Sequence, residues 1–460
     1  MPGFLSWKHQ FNRKGKKMKR RYFVQNVFTG SVASFAGCSD SHGQPQPGEM
    51  PPEPYGAQYY KKACDIWERE SSTEFPLITE AADRAAWSLK NGRRLYSHVI
   101  FGHMLEAEFR QDRAGNPNYL PNWTRNTADE EYDALGEGDF LLFDYAKKRV
   151  RAARDRGVFT VGIRVPYLPN AIIPPGVLFT GYSLYDGSST EECSGIVLTP
   201  GVHFTDGVLF VPEIPAVRAC PISVQGAGIF YWMLTAAIAM RDKGGGADDS
   251  GEKALEYINS VRERGARIRA DLDRIDEVAK AMTGCVAQGG RYWNFSHGCE
   301  FAIENYIRAS GIAMSQLITP DDMAGKVKPG DFAIIAGEFS DVRENADMAK
   351  ALKNKGIKVI SIGPTHTVGS RGDDLSTIAD WHIDTCSPER EGVVSIPGFD
   401  RKICPTTGVL YALALWMLNS QFIGRMIEAG MTPGLDMGVH LLGGRGYNSA
   451  VRPVVAERGY

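Results

Sequence analysis

Two glutamates four residues apart, Glu300 and Glu304, follow the segment Ser296-His297-Gly298. At that spacing they would share one helical face, and carboxyl groups beside an imidazole are the equipment of general acid–base chemistry. The plainer reading of the pair is a solvated acidic stripe. His297 stands where a small flexible turn meets a helix start, a place where backbone N–H groups converge on a ligand. Ser296 as a helix cap beside an incidental histidine explains the same residues. Thr406 and Thr407 precede a long apolar run, where hydroxyls cap a helix and remain compatible with ligand contact. Arg445 and Asn448 lie in a glycine-rich tail whose backbone could approach a neighbouring site closely. A second histidine before acids, His103 ahead of Glu106 and Glu108, occurs in the first half of the chain.

The elements that must position these groups are written twice. Asn91–His98 parallels Gly289–His297, Gly138–Phe143 parallels Gly330–Ile335, and Cys220–Ser223 parallels Cys404–Thr407, at spacings of 198, 192 and 184 residues in unchanged order. Within each copy short apolar runs alternate with helical ones. In the second copy the pattern predicts strands over 292–295, 332–336 and 358–362, and helices over 300–310 and 346–355, with Gly356 as a stop. Arg151–Gly157 and Val158–Ile163 echo the later helix–strand pair in the first copy, and 409–427 is a helix apolar nearly all round. This alternation predicts an α/β fold of two doubly wound parallel-sheet domains in tandem, over 57–245 and 250–460. Ligand crevices then lie at the carboxyl ends of the strands.

The second copy, about 255–450, resembles sugar isomerase (SIS) domains of the phosphosugar-binding kind. Gly290–Gly298 stands in the place of that family's glycine-rich first loop, and Lys328–Ile335 is similar to its "pGD" strand. Ile378–Asp384 resembles its "iAD" strand, Pro405–Leu410 the Thr/Ser-rich start of its late helix, and Gly443–Asn448 a "GG…N" tail. The resemblance implies a flavodoxin-like fold and a carbohydrate-derivative ligand. It also implies cofactor-free isomerase or lyase chemistry in which a Glu or His moves a proton by way of an enediolate. Glu300, Glu304, His297 and His366, the last just after the third strand, are the candidates it implies for that step. Ser296, Glu338, Ser340, Thr406, Thr407 and Asn448 are the candidates for holding the ligand.

The second loop departs from the family pattern. Where hydroxyls normally hold a phosphate, the chain reads Gly337-Glu338-Phe339-Ser340-Asp341, and anionic side chains oppose a phosphate dianion. In the first copy Phe143-Asp144-Tyr145-Ala146 runs almost directly into helix, so the loop is missing. An unphosphorylated sugar derivative is therefore the expected ligand, with a non-catalytic sugar-binding or scaffold protein as the alternative.

Residues 1–37 carry eight Lys or Arg and no acid, and the remaining 44 basic residues face 54 acidic ones, a balance of −10. Such a body is a poor partner for nucleic acid. The run Lys19-Arg20-Arg21-Tyr22-Phe23 resembles a twin-arginine export signal over 1–38, and Met18 immediately before it allows an alternative start. Ala36-Gly37-Cys38 resembles a lipoprotein box with Cys38 as lipidation site, so the expected location is periplasm or cell surface. The only membrane contact expected is that anchor. A proline-rich tether spans 39–56. No apolar run reaches eighteen residues, the span a mature membrane helix needs. The other seven cysteines show no CxxC pair, which leaves no metal site or disulfide framework indicated and buried free thiols as the plain reading. Two fused copies can form the pair that single domains reach by dimerising, and a homodimer of the whole chain is compatible with that.

Overall fold

The structure, a computed structural model, describes residues 53–460 except 103, 124–128, 165–187, 204, 300, 307, 366–372, 440 and 442. Glu300, His366, His103, Cys38 and the export segment lie outside the described residues.

Two parallel sheets organise the chain. The first runs β1 (Leu95–His98), β2 (Phe140–Phe143), β3 (Phe159–Ile163) and β4 (Ile196–Leu198), adjacent in that order. An isolated parallel bridge joins Ser97 to Asn122 on the free side of β1. A hairpin of β5 (Gly207–Leu209) and β6 (Ala219–Pro221) follows. The second sheet is built from β7 (Tyr292–Ser296), β8 (Gln316–Leu317), β9 (Phe332–Ala336), β10 (Lys358–Gly363) and β11 (Trp381–Asp384), in spatial order β11-β10-β9-β7-β8. That is the 2-1-3-4-5 order of flavodoxin-like sheets, whose switch point lies between the first and third strands.

Alternation along the strands explains why both faces are covered. Phe140 and Leu142 of β2, and Phe332, Ile334 and Ala336 of β9, enter one central core. Leu141 and Phe143 turn to the opposite face, with Val150 and Ala153. Ala333 and Ile335 do the same with Ala349 and Leu352. Period-2 runs buried on both sides are what a helix-covered parallel sheet requires.

The longer helices are α1 (Tyr55–Ser71), α2 (Phe75–Lys90), α3 (Lys148–Asp155), α4 (Ser223–Asp242), α5 (Ala247–Ala270), α6 (Leu272–Ala287), α7 (Arg343–Asn354), α8 (Thr407–Glu428) and α9 (Gly444–Arg458). Helices α4 and α8 are the apolar ones. Each is buried along nearly its whole length, and they touch each other as well as α1 and α5. α4 has the length and apolar composition of a membrane span, yet 94% of its apolar window is buried inside the fold, as a core helix requires.

Three expectations are corrected. The helix expected over 300–310 shrinks to a 3-10 turn, Phe301–Asn305. Asn305 is drawn inward to Tyr292 and Asn294, and Ser310 adopts a φ of 65°, which a helix cannot continue through. The tether loses its last residues to α1, which starts at Tyr55 behind Pro54. Finally, Leu95 pairs with Phe140 as Tyr292 pairs with Phe332. His98 therefore occupies the place of Phe295 inside a strand, not that of His297.

Candidate functional site

At the carboxyl end of the second sheet the sequence-predicted residues fall into three groups. Some are engaged locally. Ser296 Oγ accepts the Ala302 N–H at 3.0 Å, the capping role considered from sequence. Asn448 clasps one backbone unit, accepting from Met437 N–H at 2.7 Å and donating to its carbonyl at 2.9 Å. His297 is at the surface: its side chain is 50% exposed and its Nε2 lies 3.7 Å from Glu344. Its N–H donates to Asn345 Oδ1 at 2.9 Å.

Others line the strand ends. Ser340, after β9, and Thr385, after β11, are buried, and neither hydroxyl oxygen has a hydrogen-bond partner among the described residues. The Ser340 N–H donates to Glu389 Oε1 at 2.6 Å, and Thr406 Oγ1 donates to Ser387 Oγ at 3.3 Å. Burying a hydroxyl unsatisfied costs about 1–3 kcal/mol, so two such groups after strands of one sheet, on either side of β10, are unusual.

The third group meets side chains from the first half. Arg113, fully buried, places Nη2 2.9 Å from Glu108 Oε2 and Nη1 3.0 Å from Glu338 Oε1. Its Nη2 also donates to the Thr407 hydroxyl at the start of α8. Its ring neighbour is Phe301, 5.2 Å below the guanidinium. The Glu338 contact is an ion pair off the N–H axis, since Nη1 and Nε make no hydrogen bond among the described residues. Arg110, 32% exposed, adds a second positive group 3.6 Å from Glu338 and donates to the Gly298 carbonyl. Trp232 Nε1 donates to Glu108 Oε1 at 3.2 Å. The Glu108 carboxylate lies so close over the first turn of α8 that a Cβ at Gly408 would sit 1.9 Å from it; only glycine fits there. Burial lifts the Glu108 carboxyl to about 7 against the opposing pull of Arg113. A carboxyl near neutrality can take and return a proton at physiological pH.

A second constellation of the same kind is built around Glu304. Trp416 Nε1 donates to Glu304 Oε1 at 3.1 Å, and Arg308 Nε lies 3.2 Å from the same oxygen. Arg308 then crosses to the first half, reaching Asp206 Oδ2 at 2.8 Å and Ser223 Oγ at 2.5 Å. Asp206 is itself fixed by the N–H groups of Ile222 and Ser223 at the start of α4. Burial raises the Glu304 and Asp206 carboxyls, with Arg308 opposing in both cases. The two arginine segments exchange between halves in backbone terms too. Cys220 N–H donates to the Ser310 carbonyl and Cys404 N–H to the Gly115 carbonyl, both at 2.8 Å.

Glu304, Glu338, Thr407 and their arginines are thus brought to the seam between halves, whereas His297 and Asn448 are not. Glu108, Arg113, Arg308, Asp206, Thr385 and the two tryptophans belong to no motif that marks them in the sequence as site residues. A signal for several was present: Trp232 and Trp416 each stand twelve residues after the repeated Cys-Pro, and Glu108 with Arg113 matches Glu304 with Arg308 at nearly the spacing of the other repeats. Apart from the seam, a cleft of about 310 Å³ lined by Arg291, Gln316, Asp436 and Arg452 opens at the amino ends of β7 and β8, the opposite end from these groups.

No family model matches the chain. It is similar to a UPF0309 protein of Listeria monocytogenes, 24% identical over 230 residues, covering 44% of this chain and 97% of that protein. A UPF0309 protein of Caldanaerobacter subterraneus is 23% identical over 228 residues, 42% of this chain and 93% of that one. Among solved structures it is similar to the tagatose-6-phosphate ketose/aldose isomerase of Escherichia coli, at 12% identity and a TM-score of 0.44, covering 82% of this chain and 95% of that one. The C-terminal domain of the Francisella tularensis glucosamine-fructose-6-phosphate aminotransferase gives 11% identity and a TM-score of 0.43, covering 82% and 98%.

Proposed function

We propose that this chain is a fused pair of SIS-type halves that binds an unphosphorylated carbohydrate derivative at the carboxyl end of the second sheet. The observation that carries the reading is the set of buried, unsatisfied polar groups there: Ser340 Oγ, Thr385 Oγ1 and two donors of Arg113. Polar groups left so in a core are worth their cost when a hydroxyl-rich ligand satisfies them. A phosphate ester is disfavoured because it would bring two negative charges to arginines that a single carboxylate, Glu338, already faces.

Glu108 is the group we assign to proton transfer in an isomerisation or lyase step, with Arg113 stabilising the developing oxyanion. Glu304, tied into the Arg308–Asp206 network, serves to hold the halves together. The protein acts outside the cytoplasm, at the periplasm or cell surface, behind an export signal with Cys38 as anchor. A non-catalytic sugar-binding or scaffold protein remains the second reading, favoured by the ion pair that closes Glu338 onto Arg113.

A thermal-shift screen of neutral sugars and sugar acids, followed by turnover assays on any hit, tests both. Glu108→Gln should keep binding and lose turnover, while Glu304→Gln should lose stability first. Binding without turnover in the wild type would leave the scaffold reading in place of the enzyme. Silence across the panel would overturn the carbohydrate site.

A further inference from the structure

Arg113 is held among groups that use only part of it. It is 2% exposed, its Nε and Nη1 make no hydrogen bond among the described residues, and the carboxylate opposite Nη1 stands off-axis at 3.0 Å. A guanidinium is a planar fork that takes an oxyanion such as a carboxylate through two N–H groups at once. Here one half of the protein supplies the fork and a loop of the other half supplies the carboxylate. Glu338 sits on the segment directly after β9 rather than on a helix or strand, so it is the partner able to swing away. Arg110, one-third exposed, touches the same carboxylate from outside at 3.6 Å and marks the side from which a solute reaches the pair. Glu108 cannot stand in for Glu338. It is pinned by Trp232 and by the first turn of α8.

We infer that the ligand of this site is a sugar acid, and that Glu338 is a built-in competitor for its carboxylate on Arg113 and Arg110. The inference rests on the proposed carbohydrate site and names the class of sugar it takes. The sugar carboxylate replaces the Glu338 carboxylate on the guanidinium pair. The displaced loop turns Glu338 to solvent beside Arg110, and the ligand's hydroxyls meet Ser340 and Thr385. No net charge is added to the buried pair, because one carboxylate leaves as another arrives. A phosphate dianion would fit the same fork but would bring a second negative charge into the buried pair.

The test is isothermal titration of D-glucuronate and D-galacturonate, each against its neutral parent hexose and the hexose 6-phosphate, into wild type and Glu338→Gln. Removing the competitor should raise uronate affinity roughly tenfold, the release of one charge-assisted pair, a gain larger than any change for the neutral hexose. Should Glu338→Gln not fold, Glu338→Asp, which draws the carboxylate back by one methylene, should show a smaller gain of the same sign. Hexose binding without a uronate gain in either variant overturns this inference and leaves the carbohydrate site standing. A 6-phosphate gain equal to or above the uronate gain overturns the carboxylate assignment. No binding of any sugar by either protein sinks both.

Discussion

The two arginine seams are built from the same parts and finished differently. Around Arg308 every component belongs to regular structure or is tied to it: Asp206 receives two N–H groups and a hydroxyl at the start of α4, and Glu304 receives the Trp416 indole. Around Arg113 the corresponding acid, Glu338, hangs on a loop, and guanidinium donors are left without hydrogen bonds. Gaps occur in both, at Glu304 Oε2 as at Glu108 Oε2; what differs is access, since Arg110 of the Arg113 seam is one-third exposed whereas Arg308, Asp206 and Glu304 are all buried. The first seam reads as a lock, the second as a site.

Truncation should separate them most strongly. Arg308→Met strands two buried carboxyls and should cost about 3–5 kcal/mol in urea unfolding. Arg113→Met should cost clearly less, because Glu108 protonates near neutrality and Glu338 can turn to water. Equal losses would erase the distinction.

The next effect is on rate. If turnover is found, Glu108→Gln should lower it on the order of 100-fold or more, with little change in binding. Glu304→Gln should act mainly through stability.

A pH series sharpens the same contrast. Both carboxyls have folded values raised above the usual range by burial, so their contribution is largest under acidic conditions and is lost as pH climbs. For Glu108 the window runs from its ordinary 4.5 to about 7. Glu108→Gln should therefore lose less stability than wild type across that window, the difference approaching about 3 kcal/mol. Parallel stability–pH curves for the two proteins would argue against a proton-carrying Glu108.

The smallest effect belongs to His297, half exposed with only a 3.7 Å approach to Glu344. His297→Ala should change unfolding by less than about 0.5 kcal/mol and leave sugar binding as it is. A large loss of binding would move the site outward to the first loop.

What the chain discloses by itself follows from range. Phe332–Ala336 was legible to the residue because five buried apolar positions flanked by Gly330-Asp331 need no distant partner to be recognised as a strand. The parallel order of the second sheet followed from alternation with helices. The helix expected after His297 failed because Asn305 and Arg308 answer to partners elsewhere, Arg308 to one 102 residues away. Glu304 was legible as an acid but not as a buried one, since its burial depends on Trp416, 112 residues on. Glu108 and Arg113 look like ordinary charged residues of a short helix and its following loop. Only their contact with the start of α8 gives them weight. Ser296 and Asn448 stand out in the sequence by their glycine-rich surroundings, and local backbone bonds absorb both.

A ligand is expected at the Arg113 seam and none at the Arg308 seam, and amide hydrogen exchange with and without a saturating sugar reads both at once. Protection is expected in the segments 110–116, 337–341 and 384–390, with 205–223 unchanged. Protection at 205–223, or around the cleft at 313–316 and 452–456, with none at 337–341 would contradict it.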